Sequence, residues 1–242
     1  MHGPTRVDQG IRRCKELLRE AEGAPLVESS GLRAFGRLHA MQGDFERAHA
    51  EMSRGNEILD ELGHKLEAEA SRGHGTTFVE ALAGDVEELE RVLRRSHEAL
   101  DAMGEKGYLS TVDAVLATVL VDLGRLDDAE RFAEASRDNA SPEDVASQVG
   151  WRWERARVLA RRGHAEAATL IREALALAER TDASNMKGDT LVYLAEVLQL
   201  KDRADEAAVA LDSAIAIYEA KGNVISARTA SAQLEKLRAG VG

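Results

Sequence analysis

Five turns at nearly equal spacing constrain this chain more than any other feature. Gly43-Asp44-Phe45, Gly84-Asp85-Val86, Gly124-Arg125-Leu126, Gly163-His164-Ala165 and, more weakly, Asp202-Arg203-Ala204 each open on a turn former and carry an apolar residue two positions on. Three positions later comes a small or apolar residue: Ala48, Leu89, Ala129, Ala168 and Ala207. Successive turns lie 41, 40, 39 and 39 residues apart. Such a period is the mark of a helical repeat array, in which each unit has an apolar face that only its neighbours can bury.

The residues flanking each turn have helical spacing. Leu116, Leu120 and Leu123 precede one turn and Ile171, Leu175 and Ala178 follow another, each set marking one buried stripe. A second set of breaks, at Gly63, Met103 to Gly107, Asn139 to Pro142, Thr181 to Ser184 and Gly222, separates five hairpins over residues 26–62, 65–103, 108–139, 143–181 and 185–221. Ser141-Pro142 followed by two acids predicts a helix start with Ser141 as cap. Lone helices are expected over 5–22, with Val7, Ile11, Cys14, Leu18 and Ala21 on one face, and over 224–238. The reading is therefore one domain over 1–242, all-α, a right-handed α-α superhelix of five hairpins with a flanking helix at each end. The solitary opening helix has the form of the second half of a hairpin, as expected of an array excised from a longer chain.

Composition agrees with that reading. Forty of the 242 residues are Ala and only 4% are aromatic, which favours helix and suits a thin stack better than a large central core. A formal charge of -11 argues against nucleic acid and anionic membrane as partners. A single cysteine, Cys14, and an opening without a charged-then-apolar signal segment predict a reducing, cytoplasmic setting.

The turn pattern resembles the tetratricopeptide repeat. Gly36, Ala117, Ala156 and Ala195 stand seven residues before the turn, where that family carries its close-packing small residue, and Thr77 departs from the pattern. Ala48, Ala129, Ala168 and Ala207 fill the small position after the turn, with Leu89 the exception. The period exceeds the family's usual length of about 34. A narrower resemblance rests on the phrases Leu100 to Thr111, Asp144 to Val149 and Tyr218 to Ala227. They look like the C-terminal repeat region of large bacterial signalling proteins with a class III adenylate/guanylate cyclase domain and an AAA-like (STAND-type) ATPase domain. This implies a regulatory or sensor module. Neither activity carries over, because no residue here matches the catalytic motifs.

Gly31 to Leu38 has the glycine spacing of a phosphate loop, but Arg37 and Leu38 stand where Lys and Ser/Thr are needed, and the segment falls inside a predicted helix. Gly73-His74-Gly75 lacks the third glycine and the preceding strand of a dinucleotide fingerprint. The seven histidines form no metal-binding pair, although His39 and His49 straddle one turn. The expectation is a non-catalytic protein without cofactor or metal.

In tetratricopeptide arrays the first helix of each hairpin lines the concave face, and the resemblance lays a groove onto this sequence. It places Arg33 and Arg37, His74 and Phe78, Ala114 and Thr118, Trp153, Arg157 and Arg161, and Val192 and Glu196 inward. Inward arginines would make the groove less negative than the outside and suit an acidic peptide or the upstream domains of a parent protein, with Trp153 rather than Trp151 as anchor. The alternative that these arginines pair with Glu on neighbouring helices stays open. The leading expectation is a protein- or peptide-binding scaffold in the cytoplasm. A small-molecule or signalling-peptide sensor is the alternative, distinguished by a groove that closes into a deep pocket, and self-association is a third option.

Overall fold

The computed structural model describes residues 3–20 and 23–240 and contains no strand among them; Ala21 lies outside the described residues. The helices are α1 (Val7–Glu20), α2 (Pro25–Gln42), α3 (Phe45–Glu61), α4 (Lys65–Ser71), α5 (Thr77–Ala83), α6 (Val86–Ala102), α7 (Lys106–Asp122), α8 (Leu126–Asn139), α9 (Val145–Arg161), α10 (Ala167–Glu179), α11 (Ser184–Gln199), α12 (Ala204–Lys221) and α13 (Val224–Arg238). A π turn, Arg72–Thr76, joins α4 to α5 in one continuous rod. The chain is thus an all-α helical solenoid. Consecutive rods pack in pairs, and the first helices of successive hairpins, such as α7, α9 and α11, also touch one another.

The turns explain the period. Gly43, Gly84, Gly124 and Gly163 all take the left-handed conformation, with φ of 85°, 85°, 73° and 80°, which lets the chain leave one helix and enter the next at no Cβ cost. Asp202 occupies the same position at φ 58° and is the one non-glycine with positive φ among the described residues; Asp tolerates this region better than most side chains. Asp44 and Asp85 then cap the second helices, accepting from the amides of Arg47 and Glu88. At 141–145 the predicted start is displaced. Asp144, not Ser141, caps α9 by accepting from the Ala146 and Ser147 amides, while the Ser141 hydroxyl turns to Glu143 at 2.5 Å. Asp144 wins because its carboxylate reaches two free amides of the first turn at once.

Small residues set the helix separation. A Cβ on Gly36 would lie 2.8 Å from both the Ala48 carbonyl oxygen and Met52 Cγ. In the second hairpin this role moves one turn earlier: a Cβ on Gly73 would lie 2.5 Å from Val112 Cγ2, and Thr77 returns its hydroxyl to the Gly73 carbonyl at 2.8 Å. The longest repeat, 41 residues, contains the π turn, which takes up an additional residue without breaking the rod. The apolar core follows the array, from a cluster under α1 and α2 to a larger one spanning α9 to α13.

The two ends of the array meet, α13 against α2, so the stack of hairpins is closed into a ring. Lys221, only 2% exposed, donates from Nζ to the carbonyls of Gly3 (2.5 Å) and Thr5 (2.7 Å). The Arg6 guanidinium donates to the Ala220 carbonyl at 3.2 Å, and Gln42 Nε2 to the Gly222 carbonyl at 2.7 Å. Asn185 reaches Met41 across the same seam, Nδ2 to Sδ 3.8 Å. The physical reason lies in α13, which does more than cap the stack. Ala230 and Leu234 are buried in the last apolar cluster while Ile225 stands against Gly43, and α13 packs on α2. Burial lowers the Lys221 pKa, the expected cost of taking an ammonium out of water to make the latch.

Candidate functional site: a cavity inside the ring

Closure converts the concave face into a cavity of about 1110 Å³. Its walls follow the repeat. Six residues before the five turns stand Arg37, Phe78, Thr118, Arg157 and Glu196, and all five line it. Ten before the turns stand Arg33, His74, Ala114, Trp153 and Val192, of which all but Arg33 line it. Of the positions that the family resemblance places inward, the structure brings all but Arg33 to the wall of this cavity. Arg33 instead lies over Gly55 of α3 and donates to the Ser29 carbonyl and Ser30 hydroxyl of its own helix. It leaves the cavity because Gly55, lacking a side chain, opens a slot that its aliphatic stem fills.

Arg157 is not available to a partner's carboxylate. It is 2% exposed, and its three nitrogens donate to Glu196 (2.7 Å), Glu154 (3.1 Å) and Asp122, with Tyr193 beneath the guanidinium at 4.5 Å from the ring centroid. Burial works to discharge it, but Glu154, Glu196 and Asp122 outweigh that and hold its pKa well above the ordinary value. Arg161 donates to Glu196 at 2.7 Å and to the Val121 carbonyl. Thr118 donates to Glu154 at 2.6 Å. Glu154 is fully buried, and burial pushes its pKa up to about 7 against the pull of Arg157 and Thr118. The expectation that Arg157 and Arg161 make the groove less negative and offer themselves to an acidic partner gives way to the alternative left open: acids on neighbouring helices pair with them.

The opposite wall differs. Arg37 donates to the His74 carbonyl at 3.3 Å and lies over the Phe78 ring at 5.6 Å. No carboxylate pairs with it among the described residues, and its buried Nε has no hydrogen-bond partner. Burial, aided by Arg33, draws its pKa down to about 10. Trp153 meets Tyr193 edge to face with centroids 5.2 Å apart, and its buried Nε1 also lacks an acceptor. Trp151 is neither in the cavity nor core: it is half-buried, bonded to Gln148 and covered by the Arg152 guanidinium at 4.1 Å.

Three lining groups were not anticipated. Asp189 on α11 accepts from the Tyr218 hydroxyl at 2.5 Å, and burial with no cation nearby pushes its pKa up to about 6. The Tyr218 ring lies where a Cβ on Gly188 would be 2.5 Å away. Asp189, Val192 and Glu196 fall at i, i+3 and i+7 on α11, so helical spacing from the predicted Val192 and Glu196 leads to Asp189. The third contribution, Ser226, Thr229 and Gln233 of α13, needs the ring closure to be known.

His39 and His49 do not meet. His39 pairs with Glu51 at 2.9 Å and His49 with Glu80 at 3.0 Å. Among the described residues no group of three or more His, Cys, Asp or Glu is arranged to hold a metal ion, and no helix is long and apolar enough to cross a membrane.

No family model and no curated protein matches the chain. Among solved structures, that of BtubC (BKLC) from P. vanneervenii is similar, with a TM-score of 0.62 at 14% sequence identity over 89% of this chain and 92% of that one. At that identity the likeness is one of fold alone.

Proposed function

We propose that this chain is a non-catalytic helical-repeat binding module of the regulatory or sensor kind, and that its ligand, a small molecule or short peptide, is held inside the ring rather than along an open groove. The observation that carries this reading is the closure: with α13 seated on α2 and Lys221 holding Gly3 and Thr5, the inward side chains surround a cavity of about 1110 Å³, a little above the usual size of ligand pockets. The resemblance to repeat regions of cyclase and ATPase signalling proteins supports a regulatory setting, in which an occupied cavity would stabilise the closed ring over an open one.

The test is extraction of small molecules from the purified chain, compared with Val192→Trp, which fills part of the cavity from its half-buried wall. The expected result is a compound retained by the unaltered chain and lost from the variant. Retention of protein partners alone, in equal amount by both, would instead support a scaffold that binds through its outer face.

A further inference from the structure

Most charged groups in the cavity wall have an ion pair, a hydrogen-bond partner or a helix end to cap. Asp122 and Glu196 share Arg157, with Arg161 also on Glu196. Glu80 holds His49, and Asp85 and Asp144 cap helices. The Glu143 carboxylate is exposed and accepts from Ser141. Among the described residues, Arg37 lacks an acid and Asp189, alone of the shielded wall acids, has neither a cation nor a backbone amide. Arg37 has a carbonyl and an aromatic face but no acid, with Nε buried and empty-handed. Asp189 has the Tyr218 hydroxyl but no cation.

These two groups do not neutralise each other, since no ion pair joins them within 4.0 Å, yet both belong to the same seam. Met41 and Asn185 touch across the closure. Arg37 lies one turn before Met41 on α2, and Asp189 one turn after Asn185 on α11. Both face the same space, and between and beside them the wall is apolar or aromatic: Phe78, Met186, Val192, Tyr193 and Trp153. A buried charge without a counter-charge is costly. Two of opposite sign, each half-buried in the wall of one cavity, are both relieved by a molecule that brings the complementary pair.

Resting on the reading that the cavity holds a ligand, we propose that it selects zwitterions: a carboxylate at Arg37, a protonated amine at Asp189 and an apolar body between them. Arg offers the carboxylate a fork of donors. The carboxylate of Asp189, flanked by Tyr193 and Tyr218, suits an organic cation. Trp153 Nε1 remains to donate to a carbonyl or carboxylate oxygen of the body. An ω-amino carboxylic acid and a free-ended apolar peptide share this chemistry.

The experiment is calorimetric titration of the full chain with 6-aminohexanoate, 8-aminooctanoate and free-ended tri-leucine, beside hexylamine, hexanoate, N-acetyl-tri-leucine and tri-leucine amide. At least one zwitterion is expected to bind ten-fold or more tightly than its singly charged counterparts, and whether amino acid or peptide leads identifies the source. Asp189→Asn should abolish the penalty for blocking the amine while keeping that for blocking the acid, and Arg37→Gln should do the reverse. Asp189→Glu and Arg37→Lys, which keep the charges, should keep the preference. Equal binding of zwitterions and blocked forms, or a penalty for acetylation that survives Asp189→Asn, overturns the proposal. The emission of Trp153, read in a Trp151→Phe background with indole as a neutral probe, separates the two readings. A response to indole without zwitterion preference removes this inference and leaves the cavity as a binding site, whereas no response to any probe counts against both.

Discussion

Arg37 and Arg157 stand at the same place in the repeat, six residues before a turn, and the structure treats them in opposite ways. Arg157 is locked by three carboxylates, and Arg37 has none among the described residues. The difference lies in the adjoining units. At the equivalent position of the next hairpin Arg157 finds Glu196, whereas Arg37 finds Phe78. The preceding hairpin adds Asp122 to Arg157, and the residue three before it is Glu154. The residue three before Arg37 is Ala34. In a stacked array the role of a side chain is thus decided by what its neighbours carry at the same height, and a repeat position by itself assigns no role.

The comparison can be broken by truncation. Arg157→Ala leaves Glu154, Asp122 and Glu196 together without a cation and should cost about 3–5 kcal/mol in urea unfolding, whereas Arg37→Met should cost less than about 1 kcal/mol or stabilise. Equal losses would end the distinction. The leftover acid gives a second, smaller test. The Asp189 carboxyl, raised from 3.8 to about 6 in the folded chain, binds its proton more tightly folded than unfolded, so burial of the charged form opposes folding above pH 6. That penalty fades as pH falls from 6 towards 3.8. Asp189→Asn, which still accepts from Tyr218, should therefore raise stability by about 1–3 kcal/mol at pH 7.5. The gain should shrink towards nothing near pH 4 in paired thermal melts. The third test rebuilds one environment in the other: Phe78→Glu places a carboxylate at the position of Glu196. A double-mutant cycle with Arg37→Met should then show a coupling of about 1–2 kcal/mol, and zero coupling would mean that register alone does not bring the two groups together.

The parts of the molecule that repeat were legible in the sequence, because turn chemistry and helical spacing are local. The left-handed turns at Gly43, Gly84, Gly124 and Gly163 and the small residue at Gly36 follow from residues within one unit, and the placing of Phe78, Trp153 and Arg157 on one face follows from their common distance to those turns. What depends on distant residues did not show. The latch joins Lys221 to Gly3, and the seam joins Asn185 to Met41, pairs separated by most of the chain. The neutralisation of Arg157 needed the heights of α7, α9 and α11 to be compared, although the acids were visible one repeat away. Ser141 is not the cap because the helix begins three residues later, where the Asp144 carboxylate meets the Ala146 and Ser147 amides, a displacement that composition does not decide.

The latch also changes how such a molecule should come apart. An unjoined stack behaves as a one-dimensional chain whose terminal units can fray independently of the middle. With Lys221 fastened to Gly3 and Thr5 and α13 seated on α2, the opening helix cannot peel away without giving up the first contact, nor the last helix without giving up the second. Melting should then be a single sharp event in place of a gradual erosion from the tips, and severing the fastening should restore the gradual kind.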